Sequence, residues 1–112
     1  MIVSKTLNLS FNETTCVNAI DLMPEGIKQF RIEELNFVHD SIEASFILVI
    51  QTWDKNLNFE EDLLTISESD CMIPMKTFDL MQEEVHLEFV PRKKANHQSA
   101  IDLNIQFSVI DK

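Results

Sequence analysis

Glycine is nearly missing from this chain, with Gly26 alone among 112 residues, and proline occurs only at Pro24, Pro74 and Pro91. Loops that bring backbone N–H groups onto a phosphate depend on glycine, so a nucleotide-cradling loop is not expected. Tight glycine hairpins are scarce for the same reason. The turns fall to Asn, Asp and Ser, which tolerate a left-handed backbone or hydrogen-bond their own turn. Tyrosine is absent and Trp53 is the only tryptophan, which leaves a thin aromatic platform for a carbohydrate. Basic residues are few: nine Lys and Arg stand against nineteen Asp and Glu, a formal charge of −10. Phosphate backbones and anionic membranes both need cations opposite them, so neither nucleic acid nor a membrane is an expected partner. The acidity serves solubility first. Its sharper reading is a negative surface that docks on a basic partner or mimics nucleic acid.

Cysteine is sparse too. Cys16 and Cys71 lack CxxC spacing and any flanking family signature, and both read as reduced, small, buried hydrophobes. The opening MIVSKTLNLSF has no charged segment followed by an apolar core and cleavage site, so a secretory signal is not expected. The expected location is the cytoplasm or a virion, and the glycosylation sequons at Asn8 and Asn12 then carry little meaning. A serine elbow, an HExxH pair and a glycine-rich phosphate loop are all missing, so no enzyme, cofactor or small-molecule substrate is expected. Asp54, Asn56, Asn58 and Glu60 alternate as oxygen donors. An EF-hand, however, needs Gly at its sixth position and Glu at its twelfth, where this chain has Phe59 and Thr65. An acidic turn is the better reading. His39, His86 and His97 are far apart, on a turn, a strand and a loop, without metal-ligand spacing.

What the chain does have is apolar alternation. Hydrophobic residues make up 45% of it, which argues against disorder, and a single domain of this length hides about two thirds of its unfolded surface. Ser41–Trp53 (SIEASFILVIQTW) is the organising stretch. Its middle, 44–50, is almost unbroken, β-branched and aromatic, and bounded by Asp54-Lys55-Asn56, so it reads as a strand covered on both faces. Val3, Leu7, Leu9 and Phe11 alternate with Ser4, Thr6, Asn8 and Ser10 as a half-buried first strand. Cys16–Met23 reads as a second strand with Cys16, Ile20 and Leu22 in phase, ended by Pro24-Glu25-Gly26. Across 27–39 Phe30 and Ile32 share one phase and Leu35 and Phe37 another; a bulge at Glu33-Glu34 reconciles them, and a helix is the weaker alternative. Leu63–Ile66 predicts a short strand after an acidic turn, and Ser67–Asp70 a further turn. Pro74, Met75, Phe78 and Met81 fit one or two helical turns. Val85, Leu87 and Phe89 predict a strand stopped by Pro91, and 92–99 a polar loop. Ile101, Leu103, Ile105, Phe107 and Val109 give the final strand.

Seven or eight strands at regular spacing predict an all-β, two-sheet antiparallel sandwich over 1–112, jelly-roll or immunoglobulin-like, with at most one short helix near 74–82. The outward positions of the first and last strands, Ser4, Thr6, Asn8 and Ser10 with Asn104, Gln106 and Ser108, are polar yet uncharged. Solvated sheet surfaces are commonly guarded by charge, so these residues form the candidate interface; ordinary outward strand positions are the plain alternative. Arg92, Lys93 and Lys94, beside His97, form the only basic cluster. It is a solvated loop in the plain reading, or a complement to acidic residues such as Glu60-Glu61-Asp62 or Glu83-Glu84 on a neighbouring copy. The leading functional expectation is a non-catalytic building block of a larger, homo-oligomeric particle, of which a viral or phage component (capsid, vertex, decoration or tail) is one concrete version. The alternative is an acidic inhibitor or immunity-type protein on a basic enzyme surface.

Overall fold

The computed structural model describes residues 1–38, 44–67, 72–93 and 99–110. Eight strands carry the fold: β1 (Ile2–Ser10), β2 (Thr15–Asn18), β3 (Gln29–Phe37), β4 (Ser45–Asp54), β5 (Phe59–Ser67), β6 (Phe78–Asp79), β7 (Glu83–Lys93) and β8 (Ala100–Ile110). They form two four-stranded antiparallel sheets, ordered β1-β8-β3-β6 and β2-β7-β4-β5. The pairs β1·β8, β2·β7, β3·β6 and β4·β5 are those of one long hairpin whose tip is the β4–β5 turn, wound so that alternate pairs fall in opposite sheets. That is the jelly roll, and it decides against the immunoglobulin arrangement.

The period-2 segments fold as their patterns require. In β8 Ile101, Leu103, Ile105, Phe107 and Val109 are buried and the intervening residues half-buried. In β3 the register slips between Ile32 and Glu34; this bulge keeps both Ile32 and Leu35 in the core, as the phase change at Glu33 predicts. Between the sheets the aromatic rings interlock: Phe30 stacks on Phe78 at 5.1 Å and meets Phe107 edge-on at 5.7 Å, while Phe11 stacks on Phe46 at 5.4 Å.

Several elements depart from expectation for identifiable reasons. The strand predicted over 16–23 stops at Asn18, whose side-chain oxygen accepts from the Ile20 amide and caps a 3₁₀ turn, Ala19–Leu22. The turn buries Ala19 and Leu22 and leaves Ile20 exposed. Cys16, expected inside, is an exposed free thiol because Val17 takes the inward position. No helix forms over 74–82. Pro74 is buried within an irregular crossing between the sheets, Phe78 enters β6, and Met75 and Met81 lie exposed. The acids 60–62 belong to β5 rather than to a turn, since β4–β5 pairing runs on to Trp53 and Phe59. Pro91 does not end β7; it sits at the register irregularity beside Phe46, beyond the last residue that pairs with β2, where its missing donor is tolerated.

Strand β4 corrects the expectation of two covering layers. Phe46, Leu48 and Ile50 point into the core, but Ile47, Val49 and Trp53 lie on the outer side of their sheet. There they are flanked by Thr65, Leu63 and Phe59 of β5; Val49 is still buried, at 8%, while Ile47 and Trp53 are only half-buried. Gly26, at φ 87, takes the left-handed position of the turn closed by the Ile27 amide on the Pro24 carbonyl. The turns expected at 39–41 and 68–70, together with Cys71, Lys94 and His97, lie outside the described residues.

Candidate functional site

The residues singled out on the first and last strands converge. β1 and β8 are neighbours, with Ser4 opposite Gln106, Thr6 opposite Asn104 and Asn8 opposite Asp102, while Ser108 faces Ile2 and Ser10 faces Ala100. On the far side of β8, Asn36 sits beside Asn104, Glu34 beside Gln106 and Arg31 beside Ser108. The charges on this face are internally engaged: Asn8 donates to Asp102 at 3.0 Å, Asn36 donates to Glu34 at 2.7 Å, and Arg31 pairs with Glu33 at 2.8 Å. Arg92 and Lys93 do not join this face. They end β7, in the other sheet, some nine residues or about 30 Å of extended chain from Glu83 and Glu84 at its start. Those two groups could therefore meet only between copies, head to tail.

The edge of β1 is the less expected feature. Each sheet has two edge strands, and three of the four are blunted. β6 has two residues and β2 four; β5 carries Glu60, Glu61 and Asp62 in succession. β1 runs for nine residues with Lys5 as its only charge. The amide of Val109 donates to the Met1 carbonyl, and that of Phe11 to the Ser99 carbonyl. Odd-numbered residues therefore bond to β8, while the N–H and C=O groups of Ile2, Ser4, Thr6, Asn8 and Ser10 face away from it. This edge was not legible in the sequence because the strand order was not.

A second feature lies at the end of the sandwich where β4 turns into β5 and β6 into β7. An open cleft of about 390 Å³ has Ile20, Trp53, Leu57 and Met81 among its apolar walls, and Asp54, Glu83, Glu84 and Lys55 among its charged groups. Trp53 packs on Phe59 at 5.0 Å and meets the His86 ring edge-on at 5.0 Å; His86 is held by Glu84 at 2.8 Å. The β4–β5 turn is built on Asp54, whose carboxylate accepts from the amides of Asn56 and Asn58 at 2.8 and 2.9 Å and from the Asn58 side chain at 3.0 Å. The Asn58 bonds first, then that from Asn56, hold this carboxyl below the usual aspartate range. The left-handed position of the turn falls on Leu57, at φ 64, rather than on either asparagine. Leu57 is 79% exposed.

The remaining candidates are accounted for locally. Asp54 is committed to its turn, and Glu60 and Asp62 share Lys76 at 3.4 and 3.8 Å, so the alternating oxygens do not converge. Among the described residues no group of three or more His, Cys, Asp or Glu could hold a metal ion, and no helix is long and apolar enough to cross a membrane. Cys16 lies opposite Glu88; partial burial and that carboxylate push its thiol pKa up, which lowers its reactivity. Comparison with protein-family models, curated proteins and solved structures gave no match.

Proposed function

We propose that this jelly roll is a non-catalytic building block that self-associates into a larger particle, a virion or phage component being one concrete version. The observation that carries the reading is the edge of β1, which no strand among the described residues pairs on its outer side. A long, nearly uncharged edge strand invites a further strand, and β1 is complementary to itself. Antiparallel pairing of two copies about Thr6 sets Thr6 against Thr6, Ser4 against Asn8 and Lys5 against Leu7. The outward N–H and C=O groups fall into register, with no like charges directly opposed. On β5 such a pairing about Glu61 would oppose three carboxylates to three, whereas a register centred on Leu63 would avoid it. The pairing joins two four-stranded sheets into one of eight strands, and the uncharged face of Ser4, Thr6, Asn8, Asn104 and Gln106 continues across the junction.

Thr6→Pro tests this. The Thr6 amide points away from β8, so proline removes an outward donor and leaves the β1–β8 ladder intact. Light scattering on purified protein should give a multiple of 13.0 kDa for the parent chain and a folded single-chain mass for Thr6→Pro. A parent chain that stays a monomer at high concentration, or a Thr6→Pro variant that assembles unchanged, overturns the reading.

A further inference from the structure

We propose that the cleft at the β4–β5 end receives a segment of a different protein: a peptide with an aliphatic anchor flanked by lysine or arginine. This does not rest on the β1 edge, which belongs to the opposite sheet. The volume, about 390 Å³, lies within the usual range for ligand clefts of about 300–1,000 Å³. Its walls decide the chemistry. Leu57 and Met81 are 79% and 57% exposed, flexible and aliphatic, whereas a sugar needs a flat ring platform, and Trp53 already packs against Phe59 and His86. Backbone strain supports use of the cleft. Leucine in the left-handed region is disfavoured, asparagines stand on either side of it, and such strain gathers at binding sites. The rim selects the partner. Asp54, Glu83 and Glu84 outnumber Lys55, which attracts a cationic segment and repels an anionic lipid surface. A second copy is the poorer occupant, since two chains that each carry a charge of −10 repel one another.

Trp53 is the only tryptophan and tyrosine is absent, so intrinsic emission reports this cleft alone. The probe is a synthetic peptide of two leucines flanked on each side by two lysines. One control replaces its leucines with serine, and another its lysines with glutamate. Saturable change in Trp53 emission is expected for the first peptide only. Binding should weaken about tenfold, about 1.4 kcal/mol, in Leu57→Gly and in Glu83→Gln combined with Glu84→Gln. Leu57→Gly removes the side chain and the backbone strain together, so its loss of binding would not reflect misfolding, and far-ultraviolet circular dichroism checks the acid pair. Equal binding of the serine control, unchanged affinity in both variants, or no saturable signal overturns the proposal. So does an emission shift on dilution of the protein alone, which would show a second copy in the cleft.

Discussion

At the residue scale, Leu57 sets local stability against use. A left-handed conformation costs an L residue about 1–2 kcal/mol, and glycine, the natural occupant, offsets that with a larger entropy loss on folding of about 0.5–1 kcal/mol. The leucine side chain recovers little, being 79% exposed. Leu57→Gly should therefore unfold at the same denaturant concentration as the parent or somewhat higher, a gain of up to about 1 kcal/mol. A destabilised variant would mean that Leu57 packs where its exposure says it does not. The turn around it needs an ionised Asp54. Because the folded carboxyl lies below its ordinary range, its contribution is present at neutral pH and is lost as pH falls through the folded value. The sequence marks 54–58 as a turn through its Asp and Asn content, but the choice of Leu57 as the strained position follows from the Asp54 hydrogen bonds, which only the fold sets.

At the scale of elements, the bulge in β3 makes a sharp prediction. Glu33 is the extra residue between Ile32, opposite Phe107, and Glu34, opposite Gln106. Deleting it restores plain alternation with Ile32 and Leu35 still inward. The cost is chiefly the Arg31–Glu33 pair at 2.8 Å, whose partners are 53% and 32% exposed, worth about 0–1 kcal/mol. Deleting Arg31 instead makes Phe30 and Ile32 adjacent, so one of two fully buried side chains must leave the core, at about 2–5 kcal/mol. Comparable denaturation midpoints for the two deletions would refute the bulge assignment. This element was legible because period 2 is a strict rule and its breach at Glu33 has few remedies. The segment 74–82 was not. Pro74, Met75, Phe78 and Met81 imitate helical spacing, yet Pro74 and Phe78 are buried by a crossing between sheets while Met75 is 98% exposed, a separation that only the tertiary path creates. The cleft was illegible for the same reason, since its walls come from three separate parts of the chain.

At the scale of the whole molecule, the winding that makes β1 and β8 neighbours leaves β1 at an edge, so one topological fact produces both the face of uncharged Ser, Thr, Asn and Gln side chains and the edge strand. The two make different demands on assembly. Edge pairing uses the outward backbone of β1, whereas stacking of faces buries Asn104 and Gln106 on β8, one strand further in, where both are half-buried by their neighbours. Asn104→Lys with Gln106→Glu separates these modes. Two opposite charges placed on the middle of the face keep the net charge at −10, so long-range repulsion is unchanged. Face stacking would have to bury or pair them and should fail, at a cost of several kcal/mol for uncompensated ions. Edge pairing leaves them in water. With β1 as the joint, light scattering should show the double variant assembling like the parent while Thr6→Pro remains a single chain. The reverse pattern, with the double variant dissociated and Thr6→Pro assembled, would move the joint from the backbone edge to the side-chain face.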